Sequence, residues 1–222
     1  MDVGAARSVW KDRVMTACVE WLDVAGEPGA WRSIGLVVAD DGLVPLMGTS
    51  LRIVDPTEHG GPGVVGWTLS GVSDTLDGTE VDGLRTRAVS ACDPVFGAHE
   101  LGASGLDHVV VMTPDLERTS GAIAVATGCE LKRVREVGSM RQGFHRIGRG
   151  GLIVEIVTRP EIPAGPASFW GLVLNVGDID AACDRIGPDR VSPPKDAVQP
   201  GRRIATIRDE VGLGVPVALM TV

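Results

Sequence analysis

Apolar residues along the chain change spacing several times, and the changes divide it into elements. From Ala5 to Val24, Trp10, Val14, Cys18, Trp21 and Leu22 recur at helical spacing while Lys11, Asp12 and Arg13 break up the other side. That spacing predicts an amphipathic helix, stopped by Gly26, Pro28 and Gly29. Short apolar or β-branched runs follow at Ile34–Ala39, Ser50–Val54 and Val64–Ser70, and these predict strands. Asp40-Asp41-Gly42, Asp55-Pro56 and Gly60-Gly61-Pro62-Gly63 punctuate them as turns. Ser73 to Ser104, rich in Gly, Asp, Thr and Ser, reads mostly as loop with room for one short strand at Leu84–Val89. The boundary between the two halves falls around Ala98–Ser104.

The second half is more regular. Leu106–Thr113 predicts a strand, and Asp115 is placed to cap a helix running to about Thr127, with Leu116, Thr119, Ile123 and Ala126 as its apolar stripe. Three strands follow at Glu130–Glu136, Gly143–Ile147 and Leu152–Thr158, then a Pro/Gly/Ala linker from Pro160 to Ala167. The order then repeats. Phe169–Val176 predicts a strand, Asp178 caps a helix carrying Ile179, Cys183 and Ile186, and the proline-rich stretch Pro188–Gln199 has room for one short strand. Arg203–Arg208 and Val215–Thr221 are the last two. The corner Thr113-Pro114-Asp115-Leu116 matches Val176-Gly177-Asp178-Ile179, so strand, Asp-capped helix and three strands occur twice. One such unit leaves a sheet face uncovered, so two must pair, and pairing makes a concave surface of the kind that takes ligands.

Composition narrows the partners. The 222 residues carry a formal charge of −8, which argues against a nucleic-acid partner, because phosphate binding needs a concentrated basic surface. No run of about 18 apolar residues offers a membrane span. Met1-Asp2 and the mixed-charge segment after it lack the basic and apolar regions of a signal peptide, and the scattered Cys18, Cys92, Cys129 and Cys183 read as free thiols. A cytoplasmic location is the resulting expectation.

Gly105-Leu106-Asp107-His108-Val109-Val110-Val111 followed by Thr113-Pro114-Asp115-Leu116-Glu117-Arg118 resembles the opening strand and helix start of a module of the vicinal-oxygen-chelate superfamily (glyoxalase, bleomycin-resistance and extradiol-dioxygenase-like proteins). Gly151-Leu152-Ile153-Val154-Glu155-Ile156-Val157 resembles that module's closing strand, and Gln199 to Ala205 with Val217 to Met220 the end of a second module. The resemblance spans residues 105–222. It implies an α+β fold: paired βαβββ modules, 105–160 and 167–222, forming a curved mixed sheet around a concave pocket. Residues 1–104, a helix and strands, are readable as a degenerate module or as an extension particular to this chain.

The same resemblance places His108 at a first-strand ligand position and Glu155 at a last-strand one, where a divalent Zn, Ni, Mn or Fe ion would bind. Period-two alternation sets His108 on one face with Leu106, Val110 and Met112, and Glu155 with Ile153 and Val157. The second module has Gly171 and Ala218 at the matching positions, and neither side chain can ligate. His145 would serve as a third ligand if it faces inward, and His99 if it folds back. A plainer reading makes His108 and Glu155 a hydrogen-bonded pair within the core.

The expected function is therefore the binding of a small organic molecule between the modules, beside an incomplete metal site. Gly171 and Ala218 would widen the pocket, and Trp170, Asn175 and Met112 would contact the ligand. The alternatives are a metal-dependent lyase, isomerase or dioxygenase acting on vicinal oxygens, with Glu155 and His108 catalytic, and a metal-free enzyme using the two as an acid–base pair. Paired modules commonly associate further, so a homodimer is an expectation, with Trp10, Trp21 and Trp31 available to an interface or to packing within the chain.

Overall fold

Residues 16–148 and 151–222 are described by the computed structural model. They form two mixed sheets and three helices, the α+β architecture expected. In the second half the strands are β7 (Ala103–Met112), β8 (Arg133–Val137), β9 (Met140–Arg146), β10 (Ile153–Thr158), β11 (Ser168–Val176), β12 (Lys195–Asp196), β13 (Arg203–Thr206) and β14 (Val217–Thr221). They assemble in the order β12-β13-β14-β11-β7-β10-β9-β8. Each module's first strand lies parallel to its last, β7 with β10 and β11 with β14. The two first strands pair antiparallel at the centre.

The helices begin where the side-chain chemistry requires. Asp115 accepts from the Arg118 amide at 3.0 Å to open α2 (Leu116–Thr127), which ends at Gly128 in a left-handed conformation. Asp178 accepts from the amides of Asp180 and Ala181 to open α3 (Ile179–Ile186). Leu116 and Ile123 of α2, and Ile179, Ala182 and Ile186 of α3, are buried against the sheet with Val109, Val111, Val154, Ile156, Leu174 and Leu219. Full burial of each large aliphatic side chain contributes about 1.5–3 kcal/mol. The opposite, concave face is left for chemistry.

The first half departs from its sequence reading. Residues 5–15 of the expected helix lie outside the described residues, and the remainder is strand β1 (Cys18–Ala25), not helix. The strand carries a bulge. Val19 pairs with Leu69 and Trp21 with Thr68, so Glu20 is an extra residue, and Val19 and Leu22 both reach the core at a spacing of three. Of the described residues that set the helical spacing, only Leu22 is buried; Cys18 is exposed and Trp21 half-buried, so their spacing does not mark a core face. Pro28 and Gly29, read with Gly26 as a helix stop, instead open a short helix, α1 (Pro28–Ser33), with Pro28 in its first turn and Trp31 fully buried. Ile34–Ala39 forms no strand: Gly35 has φ of +93°, and the Val37 amide donates to His99 Nδ1 rather than to a ladder.

The other first-half strands are β2 (Leu43–Val44), β3 (Ser50–Val54), β4 (Gly63–Ser70), β5 (Thr79–Val81) and β6 (Leu84–Val89), ordered β2-β3-β1-β4-β6-β5. Here too a leading strand runs parallel to a closing one, β1 with β3 and β4 with β6, and the leading strands β1 and β4 pair antiparallel. The hairpins β2-β3 and β5-β6 complete the units. The first half is thus built as two shortened units, each missing the outermost strand of a full module. The halves pack together through Trp67 of β4, edge-on to Phe169 of β11 at 5.7 Å, and Trp31, whose indole N–H donates to the Leu213 carbonyl at 3.2 Å.

Candidate functional site

A cleft of about 960 Å³ opens on the concave face of the eight-stranded sheet. Arg133 and Arg135 of β8 and Lys195 and Asp196 of β12 line it together, so the sheet curls until its two outer strands face each other. His108, Ile153, Glu155, Gln142, Phe144, Ile204 and Met220 form its floor and walls.

A bulge also builds this floor. His108 pairs with Val173 and Leu106 with Leu174, which leaves Asp107 as the extra residue of β7. Regular alternation would send neighbouring side chains to opposite faces; the bulge re-aims them so that Asp107 and His108 touch. Asp107 Oδ2 lies 2.7 Å from His108 Nδ1, which must donate because a carboxylate only accepts. That leaves Nε2, 3.4 Å from Glu155 Oε2, as the nitrogen facing the cleft. His108 and Glu155 side chains are each 13% exposed.

Both carboxylates are held from behind. Arg202 donates to Asp107 Oδ1 and to Asn175 Oδ1, each at 2.7 Å, and to the Thr221 carbonyl at 2.5 Å. Burial alone would push the Asp107 carboxyl up; the hydrogen bonds and positive charges of His108 and Arg202 more than offset this and hold it below the usual range. Gln142 donates to Glu155 Oε1 at 2.5 Å, and its own Oε1 is buried with no partner among the described residues. Two hydrogen-bonded groups result, Arg202–Asp107–His108 and Gln142–Glu155, which face each other with His108 Nε2 and Glu155 Oε2 3.4 Å apart.

Of the residues anticipated from sequence, His108 and Glu155 come together. His145 does not join them. It lies on the opposite, helix-covered face, 1% exposed, with Nε2 on Ser120 Oγ at 2.8 Å and Nδ1 on the Cys129 carbonyl at 2.9 Å. Burial, against the opposing pull of the Cys129 carbonyl, holds its pKa below the ordinary histidine value, so it serves as a neutral structural ring. His99 is likewise committed, to the Val37 amide and the Pro45 carbonyl. Trp170 sits 51% exposed on a bulge of β11, and Met112 lies further along β7; neither lines the cleft. Asn175 does not line the cleft and accepts a hydrogen bond from Arg202. Asp107, Arg202 and Gln142 were missed, although two adjacent polar residues in the apolar run from Gly105 to Val111 were a signal that alternation was broken there.

The second module cannot complete a metal centre. A Cβ at Gly171 would stand 2.9 Å from the Pro216 carbonyl oxygen, so this glycine admits a close backbone approach and does not widen the pocket. Glu155 lies beside Val110 and Ala218 beside Val173 at corresponding places in the two modules, and Ala218 offers no donor. His108 Nε2 and Glu155 Oε2 are two converging donors where catalytic sites supply three, so the residues do not fit a complete divalent-metal site. Among the described residues no group of three or more His, Cys, Asp or Glu side chains is arranged to hold an ion. No helix among them is long and apolar enough to cross a membrane.

No protein-family model matches the chain, and no curated protein matches it in sequence. Solved structures do match in fold. A triple mutant of 4-hydroxymandelate synthase from Streptomyces coelicolor superposes with a TM-score of 0.65 at 14% identity, covering 93% of this chain and 92% of that one. Methylmalonyl-CoA epimerase from Mycobacterium tuberculosis gives 0.47 at 20% identity over 57% of this chain and 92% of its own. A Streptomyces coelicolor methylmalonyl-CoA epimerase variant in complex with 2-nitronate-propionyl-CoA gives 0.44 at 19% identity, over 54% and 94%. With the synthase matching both halves and the paired modules closing a cleft, the chain resembles the vicinal-oxygen-chelate superfamily and carries its fold.

Proposed function

We propose that this protein binds a small organic molecule in the cleft of the second half and moves a proton on it with Glu155 and His108. The observation that supports this is the approach of His108 Nε2 to Glu155 Oε2 at 3.4 Å on the cleft floor, with His108 anchored through Asp107 to Arg202 and Glu155 anchored by Gln142. Asp107 fixes the His108 tautomer, as an orienting carboxylate does for a general acid–base histidine. The imidazole Nε2 then either accepts a proton or, once protonated, returns one, while the Glu155 carboxylate beside it takes the complementary role. Pairing the two at 3.4 Å lets a proton leave one side of a substrate and return without a free ion in the cleft. The homodimer and the division at about residue 104 are parts of the same reading, with the shortened N-terminal units as scaffold.

The test is hydrogen–deuterium exchange, followed by proton NMR, on carbonyl compounds with an acidic α-proton that shift the melting temperature of the full chain. Exchange that survives chelator and is lost in Glu155→Gln, with ligand binding retained, is the expected result. Exchange abolished by chelator and restored by a divalent ion, with about one ion per chain by mass spectrometry, would instead establish the metal-dependent alternative. Absence of both a thermal shift and exchange across the panel would remove the reading.

A further inference from the structure

The chain carries a net charge of −8, yet five cations, Lys132, Arg133, Arg135, Arg146 and Lys195, line one cleft. The carboxylates lining it are only Glu155 and Asp196. Elsewhere the arginines are largely spent: Arg52, Arg118, Arg141, Arg185, Arg202 and Arg203 each hold a carboxylate at 2.6–2.8 Å. None of the five makes an ion pair among the described residues. Arg133 stacks over the Phe144 ring at 6.0 Å, and Arg146 donates to the Gly151 carbonyl. Holding like charges together in an acidic protein costs free energy through self-repulsion, and an anionic occupant would offset it.

Strand register gives the spacing. Arg133, Phe144 and Glu155 are successive cross-strand neighbours on β8, β9 and β10, so their side chains share the concave face. Arg146, Ile153 and His108 form the neighbouring row across β9, β10 and β7. In each row the cation stands two strands from a member of the acid–base pair, about 10 Å at the usual spacing. Lys195 arrives from the opposite edge of the sheet and closes the arc.

From this juxtaposition we infer that the ligand is elongated and polyanionic. Its head lies at His108 and Glu155, and a group bearing at least two negative charges, phosphoryl or carboxylate, lies about 10 Å away among Arg133, Arg135, Arg146 and Lys195. This rests on the reading of His108 and Glu155 as the ligand-contacting pair, but the anion subsite is testable apart from them. The phenyl face of Phe144 between the two ends suits an apolar or flat middle section.

The experiment titrates the full chain with inorganic pyrophosphate and, separately, with citrate by calorimetry at fixed ionic strength. Wild type, the double variant Arg133→Ala/Arg135→Ala, His108→Ala and the exposed off-cleft control Arg87→Ala are compared. The inference expects at least one anion to bind wild type and Arg87→Ala alike, weakening by about tenfold or more in the double variant. Preference for pyrophosphate assigns a phosphoryl group, and preference for citrate a carboxylate. His108→Ala should keep anion binding; if it does while the proton-exchange test fails, the subsite stands and the acid–base reading falls. Binding of neither anion to wild type, or equal binding to the double variant with unchanged circular dichroism, overturns the inference.

Discussion

The two halves of the molecule share one plan and differ in what they do with its concave face. In each, two leading strands pair antiparallel at the centre and each is flanked by its own parallel closing strand. The first half stops one strand short on both sides, so its sheet has six strands where the second has eight. On its face Asp23 is held by Arg52 at 2.7 Å, and that guanidinium lies over Trp21 at 4.9 Å. The carboxylate is neutralised, and its partner is occupied on one side by the ring. On the second half's floor, the anchored Asp107 leaves the far nitrogen of His108 turned toward Glu155 and the cleft. Strand number decides whether the outer edges can face each other; the identity of two inward residues decides whether the floor is closed ion pair or open acid–base pair.

Breaking the anchor in each half gives the largest contrast. Arg202→Ala leaves buried Asp107 with only one of its two partners, His108, and frees Asn175 and the Thr221 carbonyl, and should cost about 3 kcal/mol by urea denaturation. Arg52→Ala removes contacts to a single carboxylate oxygen beside a more exposed guanidinium and should cost roughly half that. Equal losses would contradict the distinction. Gly171→Ala sharpens the comparison between the two modules of the second half. Its new Cβ meets the Pro216 carbonyl, so a loss of about 1–3 kcal/mol is expected in the same assay, and a neutral result would show that β11 and the Pro216 segment can separate.

The smallest effect is on pH dependence. Asp107 is held below its ordinary carboxylate value in the fold, so the unfolded chain binds its proton first as pH falls. Its stabilisation is complete above the unfolded carboxylate pKa of about 4 and is lost as pH drops through the lower folded value. His145, also depressed, follows the same sign in a higher window: its contribution is complete above about 6.5 and declines below it as the unfolded ring protonates. Stability measured from pH 7 to 3 should therefore fall in two stages, and His145→Gln should flatten only the upper one.

Much of the second half was legible because its signals are local. Asp115 and Asp178 announce helix starts, and the runs Val109–Val111 and Ile153–Val157 are too apolar to be anything but buried strand. His108 and Glu155 could be named because the resemblance sets them at ligand positions, and each also interrupts such a run. The first half misled at β1, where Cys18, Trp21 and Leu22 have helical spacing but only Leu22 is buried, and at Ile34–Ala39, where apolar residues are buried as irregular chain around Gly35. His145 could not be placed from its strand alone, since whether it faced the cleft or α2 depended on the register of β9 against β10.

By itself, then, the order of residues determined the repeated strand–helix–strand units and the capped helix starts, because periodicity and capping act over a few residues, and through its family resemblance it marked the two polar residues worth watching. Tertiary structure decided what those residues face. The bulge that turns Asp107 onto His108, the reach of Arg202 from the far module and the Pro216 carbonyl against Gly171 each depend on strands distant in sequence. So does the curl that brings Lys195 opposite Arg133. These are set by register and sheet curvature, which arise only when the whole sheet is assembled.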